Sequence, residues 1–203
     1  MSKTRIAVLV SGGGTNLQAL IDAQKAGVIT DGEIVLVLSN NANAYALTRA
    51  KNAGIKSAIV IKKNFPTRQA FEDGLLDVLQ QEKIDMIVLA GFMCILGEKF
   101  VRRYADRIIN VHPSLIPSFC GEGFYGLKVH EKALEYGVKV TGATVHLVNE
   151  IPDGGKILMQ KAVEILDGDT PEILQKRVME QAEWIILPLA TQQLAKQINK
   201  EKD

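Results

Sequence analysis

The sequence predicts a single α/β domain: a Rossmann-like, doubly wound and mostly parallel sheet, finished by a C-terminal β-hairpin and a terminal helix. Short β-rich runs alternate with longer stretches of helical periodicity up to residue 112, which is the pattern of parallel strands with crossover helices. A glycine-rich turn follows the first apolar run, where such folds bind anions. Two late β-like runs are joined by a Gly-rich connection, which predicts the hairpin.

Taken in order, residues 6–10 read as a buried strand, and Leu17, Leu20 and Ile21 mark one face of the helix that follows. A second strand spans 34–38, a helix 44–53 and a short third strand 58–61. A helix over 65–81 is expected to open with Pro66 in its first turn, where the missing N–H costs little. Further strands are expected at 84–89 and 108–111. The pattern then breaks in "HPSLIPSFCGEGFYG", too irregular for a packed element; loops of this length inside compact domains are often functional. A helix over 129–136 and β-like runs at 140–148 and 157–163 follow, with "NEIPDGGK" between the runs. The last helix is expected to begin at "DGDTPE", capped by Asp169 or Thr170 with Pro171 at N1, and to turn Ile173, Leu174, Val178, Ile185, Ile186 and Leu189 toward a core. The tail "NKEKD" is expected to fray.

At 203 residues the chain can bury one sizeable core, and no repeat or low-complexity linker divides it. A hydrophobic content of 47% separates it from disordered chains, and a net charge of +1 supplies no basic field for nucleic acid. Cys94 and Cys120 lie in no CxxC or Cys/His spacing, so zinc or dithiol chemistry is not indicated and a reducing cytoplasm fits best. The opening "MSKTRIAVLV" has too short an apolar run for a signal peptide or a membrane span.

"SGGGTN" at 11–16 combines glycine freedom with the N-terminus of a helix, a natural anion site. A bare strand-to-helix turn without ligand is the alternative. The dinucleotide pattern GxGxxG fails because position 17 is Leu17, and no acid ends the second strand, which reads "LVLSNN". The phosphate-loop pattern fails because no Lys-Ser or Lys-Thr pair follows at the required spacing. A phosphate held by Gly14, Thr15 and Asn16 remains, and a phosphorylated substrate is the better candidate to carry it.

In "INVHPSLIP" Asn110 and His112 are two apart on an extended segment, so they share a face, and Pro113 biases His112 toward extended geometry. "IPDGGK" puts Asp153 before two glycines in a turn, which taken alone is an ordinary turn pair. Asn110, His112 and Asp153 together supply an amide donor, an ionisable donor and a carboxylate without an activated Ser or Cys. Such a set suits attack of an external nucleophile on a carbonyl, with the oxyanion stabilised by Asn110 and His112 and protons moved by His112 and Asp153.

In order and spacing, "SGGGTNLQALI", "LAGFMCIL", "INVHPSLIP", "GATVHLVNEIPDGGKIL" and a late Glu near a Pro resemble the folate-dependent formyltransferases over nearly the whole chain, and the glycine turn narrows this to their glycinamide ribonucleotide branch. The resemblance implies transfer of a formyl group from 10-formyltetrahydrofolate to the amine of 5-phosphoribosylglycinamide, without metal, in purine biosynthesis. It implies that Gly14, Thr15 and Asn16 hold the ribonucleotide phosphate and Glu183 the ribose hydroxyls. Arg68 and the run Met93, Cys94, Ile95 and Leu96 then contact folate, Asn110, His112 and Asp153 are the catalytic trio with Asn110 also on the formyl oxygen, and His146 supports them. Residues 1–112 are thus expected to form a ribonucleotide-binding half and 113–203 a half completing the folate and catalytic site. Asp153 is expected to favour a protonated His112.

Three departures accompany the resemblance. Cys94 stands where several relatives carry Arg, and a buried structural Cys is the reading adopted; the loop between Pro117 and His130 is longer than in shorter members; and Glu183 is shifted by one residue relative to Arg177. Small-molecule substrates are the expected partners, with no nucleic acid or membrane, in a monomer or homodimer. Three other readings keep the fold. A formyltetrahydrofolate deformylase, with water as acceptor, is expected to carry an additional N-terminal domain; a methionyl-tRNA formyltransferase is expected to carry a C-terminal RNA-binding domain; and a nucleotide-binding sensor would have lost catalysis.

Overall fold

Seven strands pair into one sheet in the order β3-β2-β1-β4-β5-β6-β7, in a computed structural model that describes residues 3–202. The strands are β1 (Thr4–Val10), β2 (Gly32–Ser39), β3 (Lys56–Ile59), β4 (Met86–Leu89), β5 (Ile108–His112), β6 (Val140–Leu147) and β7 (Ile157–Glu164). The first five are parallel, β6 runs antiparallel to β5, and β7 pairs antiparallel with β6 as the expected hairpin. Strand order reverses at β1, which sits between β2 and β4; in open α/β sheets ligands collect beyond the carboxyl ends of the strands at such a point.

Alternation along the strands sends side chains to two cores. Ile6, Val8 and Val10 of β1 join α1 (Thr15–Lys25), α2 (Tyr45–Asn52), α6 (Pro171–Val178) and α7 (Trp184–Lys202) on one face of the sheet. Ala7 and Leu9 join Phe71, Leu75 and Leu79 of α3 (Arg68–Gln81) and Phe100 and Val101 of α4 (Glu98–Arg103) on the other. Helix α5 (Leu127–Tyr136) follows the long loop and packs against α6.

Several expectations at the helices are revised. Helix α3 begins at Arg68 with Thr67 as N-cap, accepting from Ala70 N at 3.1 Å, so Pro66 lies before the cap rather than in the first turn. Helix α4 was not foreseen; six residues are too few to show a periodicity. Thr170 caps α6 with Pro171 at N1, as expected. The helix does not continue as one regular rod: a π turn, Met179–Glu183, separates α6 from α7. Leu174, Val178 and Ile186 reach the core, but Ile173 on α6 is exposed, and so are Ile185 and Leu189, beyond the π turn whose extra residue rotates the later face. The tail is helical to Lys202 rather than frayed. Thr4 Oγ1 bonds Ala195 O at 2.9 Å and Asn199 Oδ1 at 2.6 Å, and Asn199 Nδ2 donates to Asp31 O at 2.8 Å, so α7 is fastened to the start of β1. No helix among the described residues is long and apolar enough to cross a membrane.

Candidate active site

The carboxyl ends of β1, β4 and β5 line one edge of the sheet, and all but two of the sequence-predicted site residues lie at or near that edge or on the hairpin that folds over it. At β1 the turn Ser11–Gly14 leads into α1, with Gly14 as a left-handed N-cap at φ 72°. A Cβ on Gly14 would sit 2.6 Å from Ala46 Cβ, so both the dihedral and the packing require glycine there. Thr15 is exposed at the first helical position, and no acidic side chain occupies the first turn of α1.

Asn16 meets the first of the two distant residues, Glu183: Asn16 Nδ2 donates to Glu183 Oε2 at 2.7 Å. Glu183 closes the π turn and is 6% exposed; burial pushes its carboxyl above the usual range, opposed by the Asn16 amide. That π turn lies after Arg177 in the chain and ends at Glu183. Arg177 stays on α6 in an ion pair with Asp169.

The segment after β4 carries the expected folate contacts. Met93 and Ile95 are exposed, Leu96 is buried and Cys94 is half-buried, an alternation that leaves two apolar side chains uncovered. Arg68, the second distant residue, joins this segment from α3: it donates to Ile95 O at 2.9 Å and to Glu72 Oε1 at 2.7 Å, and Glu72 in turn accepts from Gly97 N at 3.0 Å. Arg68, Glu72 and Gly97 also line a surface hollow of about 660 Å³ that includes none of the trio. Met93 N donates to Ser11 Oγ at 2.8 Å, tying this segment to the glycine turn, and Asn40 Nδ2 donates to Cys94 Sγ at 3.0 Å. Cys94 is therefore a half-buried, hydrogen-bonded thiol rather than a fully buried one.

The trio assembles around Asp153. Asn110 and His112 share a face of β5 as the spacing predicts, and β6 brings His146 opposite Asn110 in register. A β-bulge between Val145 and His146 re-aims the histidine. Asp153 adopts a left-handed φ of 55° in the hairpin connection; a Cβ on the nearby Gly155 would lie 1.7 Å from Leu147 O, so the loop closes only over glycine. Asp153 Oδ2 lies 3.5 Å from His112 Nδ1, and its Oδ1 3.5 Å from His146 Nε2.

Hydrogen bonds assign the tautomers. His112 Nε2 donates to Phe119 O at 2.8 Å, which leaves Nδ1 toward Asp153. His146 Nδ1 donates to Leu147 O at 2.8 Å, so Nε2 accepts from Asn110 Nδ2 at 3.2 Å and keeps one amide hydrogen of Asn110 for another partner. The long loop supplies two of these contacts, the Phe119 carbonyl and Gly121 N, which donates to Asp153 Oδ2 at 2.9 Å.

Burial pushes the Asp153 carboxyl up, but His146, His112 and the Gly121 N–H outweigh it and hold it below the usual carboxylate range. Burial lowers the His112 pKa more than Asp153 and the Phe119 carbonyl raise it; Asp153 does favour the protonated ring, as expected, but the resting ring is neutral near pH 7 rather than an imidazolium. The arrangement thus holds a neutral imidazole against an ionised carboxylate, able to take one proton and return it. Among the described residues no group of three His, Cys, Asp or Glu side chains is placed to hold a metal ion.

The formyl transferase family model matches residues 4–191. The chain belongs to that family. It is similar to a phosphoribosylglycinamide formyltransferase of Haemophilus influenzae, 46% identical over 91% of this chain and 84% of the relative. It is 44% identical to the trifunctional purine biosynthetic protein adenosine-3 of Gallus gallus over 96% of this chain, which spans only 19% of that longer protein. The crystal structure of glycinamide ribonucleotide transformylase 1 from Symbiobacterium toebii superposes with a TM-score of 0.90 at 40% identity, covering 96% of this chain and 89% of that one.

Sequence reasoning passed over three residues that the fold sets beside the candidate site. Phe119 contributes only a carbonyl, which no side-chain pattern reveals. His130, fully buried on α5, has no hydrogen-bond partner on either ring nitrogen, and burial, with His112 nearby, lowers its pKa to about 4. Arg49 of α2 donates to the Gly13 carbonyl; its place in a surface-type helix pattern carried no signal.

Proposed function

We propose that this chain transfers the formyl group of 10-formyltetrahydrofolate to the amine of 5-phosphoribosylglycinamide, giving N-formylglycinamide ribonucleotide in de novo purine biosynthesis. The observation that carries the reading is the union, along one sheet edge, of a glycine turn bonded through Asn16 to a buried Glu183 with an amide, an imidazole and a carboxylate around Asp153. The first unit fits a phosphate and a ribose diol; the second fits acyl transfer to an amine.

In this reading Gly14, Thr15 and Asn16 bind the phosphate, and Glu183 accepts from the ribose hydroxyls. Met93, Ile95 and Leu96 pack on the folate, with Arg68 on its carboxylate tail and Cys94 at the wall. The amine nitrogen forms a bond to the formyl carbon, and the oxyanion that develops accepts from the free hydrogen of Asn110, a contact worth about 3–4 kcal/mol. The proton lost by the attacking nitrogen passes to His112 Nδ1, where Asp153 stabilises the charge, and returns to the folate nitrogen as its bond to carbon breaks. His146 fixes the orientation of Asn110. The half-buried free thiols Cys94 and Cys120 fit a reducing cytoplasm.

The deciding experiment follows folate absorbance with and without glycinamide ribonucleotide. Turnover that requires the ribonucleotide is expected. Turnover without it would make the protein a deformylase, and none under either condition would make it a non-catalytic nucleotide sensor.

A further inference from the structure

The glycine turn is held from behind by α2, and the bonds that hold it decide where its N–H groups point. Gly12 O accepts from Ala46 N at 3.1 Å, and Gly13 O accepts from Arg49 Nε at 2.8 Å. Both peptide bonds are trans, so each carbonyl and the following N–H project from opposite sides of one rigid plane. Drawing two successive carbonyls toward α2 turns the N–H groups of Gly13 and Gly14 away from it. Neither N–H donates to a protein acceptor among the described residues. Successive outward N–H groups of this kind form a concavity for an anion.

The glycines divide the same way. Gly14 is required by its dihedral and by Ala46, whereas Gly12 and Gly13 have no left-handed φ and open space where a Cβ would stand. Nothing in the packing demands glycine at 12 or 13, and bare backbone there leaves room for a ligand.

Arg49 is immobilised without a carboxylate. Its Nε is on Gly13 O, its Nη1 donates to Gln18 Oε1 at 3.0 Å, and its guanidinium lies 5.1 Å from the centre of the Tyr45 ring. Among the described residues it makes no ion pair, unlike Arg68, Arg102 and Arg177. A fixed guanidinium whose partners are all neutral keeps its charge available to an incoming anion.

We infer that Arg49 is a positioning residue for the phosphate: it aims the Gly13 and Gly14 N–H groups by holding the Gly13 carbonyl, and its uncompensated charge favours the doubly ionised monoester. This rests on the reading of the turn as the ribonucleotide phosphate site. Lysine cannot replace it fully, because an ammonium does not reproduce the planar fork that serves Gly13 and Gln18 together.

The test compares R49M, R49K and N16A with the parent, using steady-state kinetics for both substrates and calorimetric binding of ribose 5-phosphate between pH 5 and 8. R49M is expected to raise the ribonucleotide KM about 10- to 100-fold with kcat and the folate KM within about 3-fold, and R49K to recover part of the loss. Parent affinity for ribose 5-phosphate is expected to rise across the second phosphate ionisation near about pH 6, and R49M to flatten that rise, which a purely structural role would not do. Thermal melts identify an R49M that has failed to fold; R49K, which keeps the charge but not the fork, then carries the test through its affinity. Parental affinity and pH slope in R49M, or parental affinity in R49K if R49M is unfolded, alongside weakened binding in N16A, would overturn the role of Arg49 and leave the phosphate site standing. Unchanged binding in the Arg49 variant and in N16A would overturn both.

Discussion

Two carboxyl groups stand at the two ends of the candidate site and are shifted in opposite directions. Glu183, at the ribonucleotide end, is raised because burial is opposed by a single amide from Asn16. Asp153, at the other end, is lowered although burial also works against it, because His146, His112 and the Gly121 N–H face it. Glu183 is the more deeply buried of the two and has a single amide to offset that burial, so depth and the number of facing groups together set the two directions. In the proposed function one acid is held poorly solvated until a ligand brings hydroxyl groups to it, and the other is kept ionised beside an imidazole that changes charge.

The sharpest way to break this comparison is to neutralise the lowered acid. Asp153→Asn is expected to depress kcat about 10²- to 10⁴-fold while ribonucleotide affinity stays within about 3-fold. Equal losses in both would move Asp153 from proton handling to binding. The same variant removes the charge that raises the His112 pKa, so the acid limb of kcat/KM should move to lower pH in a pH–rate profile.

Neutralising the raised acid should do the reverse. Glu183→Gln is expected to weaken ribonucleotide binding by about 10- to 100-fold in calorimetry, from loss of a charged acceptor. It should also raise the melting temperature at pH 7. The folded state holds the Glu183 proton to higher pH than the unfolded chain does, so it binds more protons in the window above the ordinary carboxylate value, and stability falls as pH rises through that window. The glutamine carries no such loss. A lower melting temperature in Glu183→Gln would contradict the burial account.

A smaller effect separates His112, the proposed proton carrier, from its buried neighbour. His130 is lowered from 6.5 to about 4, so between those values the unfolded state binds the extra proton and stability falls as pH falls. His130→Phe is expected to flatten that part of a urea-denaturation profile, and a profile that keeps its slope would assign the loss to His112 instead. Smallest of all, Cys94→Ser should shift stability by less than about 1 kcal/mol and the folate KM by less than about 3-fold, because the hydroxyl still accepts from Asn40.

The two ends also differ in how far the sequence discloses them. The phosphate turn is contiguous: strand, glycines and helix start follow one another in residues 6–21, and local periodicity with glycine spacing suffices to find it. The catalytic end is legible only as residue types. Asn110 and His112 announce their shared face, but that Asp153 and His146 arrive beside them depends on antiparallel β5–β6 pairing, a bulge and a left-handed Asp153, none of which is a local property. Arg49 reaches a backbone carbonyl 36 residues away and Phe119 offers only its own backbone carbonyl, so no side-chain motif marks either. Among the helices, Ile185 and Leu189 were misplaced because a 3.6-residue period cannot foresee an inserted π turn. The tail misled because its anchor, Thr4 with Asn199, joins opposite ends of the described chain.

That the Asn16–Glu183 bond spans 167 residues has a kinetic consequence. A molecule that grips the glycine turn and Glu183 together stitches the first helix to the last, and its binding free energy is added to the docking of α7. Ribonucleotide should therefore slow amide hydrogen exchange along α7, including turns it never touches, while a folate analogue bound at Met93 to Leu96 leaves them breathing as before.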